Sequence, residues 1–173
     1  RIRNDYLTSG TRIGQSRYEI VKEIGAGGQA IIYEAHDLND PDRPYAVVLK
    51  EFVLPAHAGV NVRKRVLENI QKEVNLLKQL NHTNIVSLLD FFIEDQRAYL
   101  VLEHITGSTL KHLVQQNGPL PEKLVAGLVI QMCEILDYLH TQIIPIIHRD
   151  FTPDNLMVDD RERLKLIDFN VAE

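Results

Sequence analysis

Apolar and polar residues first alternate along this chain and then change period. Tyr18 to Ile24 alternates as a strand does, Gly25-Ala26-Gly27-Gly28-Gln29-Ala30 follows at once, and Ile31 to Ala35 alternates again, which predicts a hairpin. Asn39-Asp40-Pro41-Asp42 has turn composition, and Tyr45 to Phe52 reads as a third strand rich in valine. Between Asn61 and Leu80 the period lengthens. Val66, Ile70, Val74 and Leu77 recur with charges between them, which is helical spacing, and Asn81-His82-Thr83-Asn84 marks the end. Ile85 to Phe92 and Ala98 to Leu102 read as two further strands around the turn at Glu94-Asp95-Gln96.

At Glu103-His104-Ile105-Thr106-Gly107 the pattern switches from strands to helices. The expected organisation is a polar leader (1–17), a strand-rich lobe (18–103), a connector (104–106) and a mainly helical lobe (107–173). Leu110 to Gln116 is a short helix, Asn117-Gly118-Pro119-Leu120-Pro121 a loop, and Glu122 to Thr141 a long helix. On the long helix Leu124, Leu128, Ile135 and Leu139 form one apolar stripe. Val125, Val129, Ile130, Met132 and Leu136 occupy other faces, a pattern that expects cover on most of its circumference. Leu156-Met157-Val158 and Leu164-Lys165-Leu166-Ile167, joined by a polar turn, form a hairpin whose second strand leads into Asp168.

Composition narrows the function classes. A chain of 173 residues with 45% hydrophobic content can bury a core as one domain or two small lobes. Its net charge of -5 argues against a nucleic-acid partner, and the one basic run, Arg63-Lys64-Arg65, reads as a solvated helix face. The single cysteine, Cys133, can form no internal disulfide and suggests a reducing, cytoplasmic setting. The polar opening carries no signal-peptide pattern. Leu124 to Ile147, the most apolar stretch, is interrupted by Gln131, Glu134, Asp137 and His140, so no membrane span is expected. His36, His57, His82, His104, His112 and His140 lack metal-ligand spacing and read as surface or capping residues.

Two runs carry chemistry: His148-Arg149-Asp150-Phe151-Thr152-Pro153-Asp154-Asn155 and Asp168-Phe169-Asn170. Phosphoryl transfer uses a carboxylate to orient the attacking hydroxyl, and an Asn and a second Asp to hold the ions that neutralise phosphate charge. With the glycine-rich turn between two strands, Lys50 on the third strand and Glu73 on the helix, residues from about 18 to 173 resemble the eukaryotic-like serine/threonine protein kinases.

The resemblance implies an α+β, protein kinase-like fold, with a five-stranded antiparallel small lobe carrying one helix and an incomplete large lobe. It implies transfer of the ATP γ-phosphoryl to a serine or threonine hydroxyl of a protein substrate. Asp150 would orient that hydroxyl, Asn155 and Asp168 would hold Mg²⁺, and Lys50, positioned by Glu73 in preference to Glu68, would grip the phosphates. Gly25, Ala26, Gly27 and Gly28 would cover the phosphates. Ile32, Val48, Leu102 and Met157 would line the adenine pocket, with the backbone from Glu103 to Ile105 bonding the base. Leu77, Leu88, His148 and Phe169 would supply a packed column.

This chain departs from the family at Ala30, where a third glycine is usual, and at Val48, where alanine is usual. Thr152 stands in place of a lysine, and Asn170 in place of a glycine. The sequence stops at Glu173, ahead of the activation segment that the resemblance implies. A truncated catalytic domain is therefore expected, weakly active alone and prone to self-association through uncovered large-lobe surface. The alternatives are a small-molecule kinase of the same fold and a nucleotide-binding pseudokinase or scaffold.

Overall fold

The computed structural model describes residues 6–26, 30–39, 45–54, 60–169 and 172. They divide into two units, the first drawn from 1–74 and 88–104, the second from 75–87 and 105–173.

In the first unit, β1 (Arg12–Ile13), β2 (Tyr18–Ala26), β3 (Ile31–Asp37), β4 (Tyr45–Val53), β5 (Leu88–Glu94) and β6 (Arg97–Glu103) form one antiparallel sheet in the order β1-β2-β3-β4-β6-β5. The five expected strands are all present, and a sixth comes from residues read as leader. The correction has a simple cause. Leu7 and Ile13 are buried in the apolar cluster with Tyr18, Tyr33 and Val101, while the residues around them are polar, so mean composition concealed an anchored segment. The Gly10 N–H donates to the Ile20 carbonyl at 2.8 Å and the Ile20 N–H donates to the Thr11 carbonyl at 2.9 Å, tying the segment to β2.

The helix α1 (Val60–Gln79) presents Ile70, Glu73, Val74 and Leu77 as its buried stripe. Its basic run is largely solvated, with Lys64 3.7 Å from Glu68 one turn on. Ile85, expected to open a strand, instead bridges Leu166 in parallel, and β5 begins at Leu88.

The second unit carries β7 (Gly107–Thr109), α2 (Leu110–Asn117), α3 (Glu122–His140), β8 (Leu156–Asp159) and β9 (Leu164–Leu166), the strands in the order β7-β8-β9. Thr109 caps α2 by accepting from the His112 N–H at 3.2 Å, and Gly118 ends it at φ 73°, its N–H donating to the Val114 carbonyl. β7 went unanticipated because Gly107-Ser108-Thr109 has no alternation. Gly107 is there for space, since a Cβ would run into the Val158 carbonyl. On α3 Leu128, Ile135 and Leu139 are buried, whereas Val125, Val129 and Ile130 are exposed. Among the described residues, no helix is long and apolar enough to cross a membrane.

Candidate functional site

In the first unit, chemistry gathers on one face of the sheet. Residues directly opposite in antiparallel strands share a face, and so do residues two apart in one strand. Lys50 on β4 stands opposite Ile32 and Leu100, and Val48 stands opposite Leu102. Ile32, Val48, Lys50 and Leu102 therefore line one surface, and Gly25, opposite Ile32, lies at its margin. Ala26 ends β2; Gly27, Gly28 and Gln29 lie outside the described residues.

Lys50 and Glu73 are both buried, and the Lys50 Nζ lies 2.8 Å from the Glu73 Oε1. The ammonium also sits 5.2 Å from the Phe52 ring centre. Helical spacing explains why Glu73 rather than Glu68 makes this pair, because Glu73 lies on the stripe with Ile70, Val74 and Leu77 while Glu68 is solvated. Gly25 has no internal reason to be glycine: a Cβ would meet only the Ile32 side chain, at an ordinary 3.9 Å.

In the second unit the segment from His148 to Asn155 is held by local hydrogen bonds. The Asn155 Nδ2 donates to the Asp150 carbonyl at 2.9 Å and to the Asp150 Oδ2 at 2.8 Å, which leaves the Asn155 Oδ1 as its acceptor. The Thr152 N–H donates to the Asp150 carbonyl and the Asn155 N–H to the Thr152 carbonyl, each at 3.0 Å. The Ile167 N–H donates to the Asn155 carbonyl at 3.0 Å, so the residue before Asp168 is tied directly to this loop. Asp150 itself is exposed.

His148 joins the two runs. Its Nδ1 accepts from the Asp150 N–H at 3.3 Å, so the proton belongs on Nε2, which donates to the Asp168 carbonyl. Burial lowers the imidazole pKa against the opposing pull of the Asp168 carbonyl, consistent with a neutral ring. Phe169 packs edge-on against it at 4.9 Å. Arg149, next after His148, has φ 66°, a left-handed backbone that no sequence pattern marks.

Sequence reasoning also passed over Asn84, seen only as a helix-ending residue. Its Nδ2 donates to the Leu164 carbonyl at 2.7 Å and to the Gln131 Oε1 at 2.9 Å, anchoring the strand that leads to Asp168. Met157 lies on β8 opposite Thr109. Asn170 lies outside the described residues.

Among the described residues no three His, Cys, Asp or Glu side chains cluster as a metal cage. A pair of oxygen donors from Asn155 and Asp168 instead suits a hard cation that takes its remaining ligands from phosphate and water, as Mg²⁺ does. A further cavity of about 410 Å³ opens in the second unit between α2 and α3, lined by apolar residues including Val114, Val125, Val129 and Met132, and it contains none of the predicted site residues.

Comparison with known proteins bears on this arrangement. The sequence profile of the protein kinase domain matches residues 18–173. The chain belongs to the protein kinase domain family. Among similar kinases is the serine/threonine-protein kinase PrkC of Bacillus subtilis, 34% identical over 163 residues, covering 94% of this chain and 24% of that protein. Another is MAP3K epsilon protein kinase 1 of Arabidopsis thaliana, 35% identical over 159 residues, covering 91% of this chain and 11% of that protein. The solved structure described as PpkA-294 apo form superposes with a TM-score of 0.80 at 25% identity, covering 95% of this chain and 61% of that one. The α+β kinase fold is thus shared, while the chain spans about a quarter or less of the length of the Bacillus and Arabidopsis relatives.

Proposed function

We propose that this chain carries the ATP- and Mg²⁺-binding apparatus of a serine/threonine protein kinase and transfers the ATP γ-phosphoryl to a protein hydroxyl. The observation that carries the reading is the buried Lys50–Glu73 pair at 2.8 Å. Desolvating two charges costs several kcal/mol that their attraction barely recovers, so a buried ion pair is a weak device for stability. A lysine held ready for phosphate oxygens explains why it is there.

Each residue is given a role suited to its chemistry. Lys50, paired with Glu73, grips phosphate oxygens. Ile32, Val48 and Leu102 supply an apolar wall for adenine; Met157 and the backbone of Glu103 to Ile105 are adenine contacts by resemblance to the family. Gly25 at the end of β2, followed in the sequence by Ala26, Gly27 and Gly28, would cover the phosphates, its glycines putting no Cβ in the way. Asp150, restrained by Asn155, accepts a hydrogen bond from the substrate hydroxyl and orients it. Mg²⁺ held by Asn155 and Asp168 would neutralise charge on the phosphates. His148 keeps the two acidic segments in register through neutral donor and acceptor bonds, adding no charge of its own.

The similar proteins named as serine/threonine-protein kinases support serine or threonine as the acceptor. A cytoplasmic setting, where ATP is supplied, goes with this reading, and the exposed thiol of Cys133 suits a reducing compartment. Calorimetric titration with Mg-ATP, alongside peptide phosphorylation, tests the whole. Binding that is lost in Lys50→Ala and Asp168→Ala is expected; no binding at millimolar nucleotide, or equal binding by both variants, would sink the reading.

A further inference from the structure

The residue after Lys50 is as buried as a residue can be, and it is charged. Glu51 is 0% exposed, on the face of the sheet opposite to Lys50. Its Oε1 accepts from the Tyr99 hydroxyl at 2.7 Å and from the Arg97 Nη1 at 3.1 Å; its Oε2 accepts from the Tyr33 hydroxyl at 3.2 Å. Arg97 is itself 6% exposed. The Tyr33 hydroxyl in turn accepts the Leu7 N–H at 3.1 Å, from the amino-terminal segment, and Leu7 is packed into the same core as the Tyr33 ring. Burial raises the Tyr33 pKa, so the hydroxyl stays protonated and can donate to Glu51 while it accepts from Leu7.

We infer that Glu51 and Tyr33 are positioning residues for Lys50, and that the amino-terminal segment around Leu7 acts through them to favour nucleotide binding. The inference rests on the role given to Lys50 above. Adjacent residues of a strand project to opposite faces, so whatever fixes the roll of β4 at Glu51 fixes the direction in which Lys50 leaves it. The bonds to Tyr99, Arg97 and Tyr33 come from β6 and β3, on either side of β4, and hold that roll from both flanks. Leu7 bonds the Tyr33 hydroxyl in a buried setting and packs in one cluster with the rings of Tyr33 and Tyr99, and a charged hydrogen bond holds its geometry more firmly in a dry site than in a wet one. Undocking the segment would wet the carboxylate and loosen the strand. Coupling between two sites is reciprocal, so phosphate held at Lys50 must in turn favour the docked segment.

The test compares Mg-ATP with adenosine, which shares the base but offers Lys50 no phosphate. Tyr33→Phe keeps the ring and removes the hydroxyl; in the 173-residue chain it should weaken ATP binding about tenfold and leave adenosine binding unchanged. Hydrogen exchange of the wild-type chain needs no variant: the Leu7 amide should slow when Mg-ATP saturates and not when adenosine does. Without nucleotide, Tyr33→Phe should speed exchange at Leu7 and along 48–52 together. Parallel losses of ATP and adenosine affinity, or a Leu7 amide indifferent to ATP, would overturn the inference. A wild-type chain that binds no nucleotide would overturn the role of Lys50 instead, with the nucleotide-free exchange still reporting whether Leu7 and β4 are linked.

Discussion

Single residues divide here into those whose identity the fold demands and those whose identity it leaves open, and the second kind points to function. Gly25 is open, because its backbone is not left-handed and a Cβ would fit. Gly25→Ala should therefore leave the melting temperature unchanged or slightly raised, since alanine restricts the unfolded chain. Mg-ATP affinity should fall about tenfold, or about 1.4 kcal/mol, as measured by calorimetry. Asp37 is the opposite case. It takes the Arg17 Nε and Nη2 at 2.9 and 2.7 Å, the Tyr45 hydroxyl at 2.8 Å and the Asn39 N–H at 2.9 Å. Burial pushes its pKa up, and the Arg17, Tyr45 and Asn39 bonds more than reverse that, holding it below the ordinary 3.8. A depressed carboxylate stabilises the fold above the unfolded pKa and loses that contribution as pH falls through the folded one. Asp37→Asn should cost about 2 kcal/mol at neutral pH, discounted for the partly exposed Arg17. In denaturant melts the deficit should shrink below pH 3.8, where the wild-type chain loses what the variant never had.

Elements were legible in proportion to their length and to the local origin of their partners. α1 and α3 show helical period over many residues, so both could be read from spacing, while the choice of Glu73 came from the resemblance to the family. β1 and β7 are two and three residues long and contain no alternation; pairing with β2 and β8 makes them strands. No local pattern marks Glu51 or Arg97 as buried, because the tyrosines that satisfy Glu51 lie 18 and 48 residues away. The left-handed Arg149 had no signal either. The exposed faces of α3 lead to a prediction of their own. Val125, Val129 and Ile130 on α3, beside the apolar cavity at α2, are of the kind that drives association. Light scattering on the 173-residue chain should show dimers or larger species. Val125→Glu with Val129→Glu should restore the monomer without unfolding it, since both positions are already exposed. A monodisperse wild-type chain would dispose of the idea.

In the molecule as a whole, Lys50 and Glu73 belong to the first unit, and Asp150, Asn155 and Asp168 to the second. A ligand that binds only the folded chain raises its stability by about 2.7 kcal/mol at a hundredfold excess over Kd. Mg-ATP should accordingly raise the thermal midpoint in a concentration-dependent way. Chelation of the metal should remove most of that shift, and Lys50→Ala should abolish it. A midpoint indifferent to nucleotide would contradict binding by either set of residues.

The strand order also bears on how the protein is made. Read from the ribosome, β1 to β4 emerge as successive antiparallel neighbours, β2, β3 and β4 each with a partner already in place. β4 then waits, because its other neighbour is β6, which starts at Arg97 after α1 and β5 have been synthesised. At bacterial to eukaryotic elongation rates the roughly 44 intervening residues take on the order of 2–9 s. Throughout that interval the strand bearing Lys50 offers a bare edge of N–H and C=O groups, which a neighbouring nascent chain on the same message could pair with. The strand that bears Lys50 is thus the part of the sheet most exposed to error while it is being born.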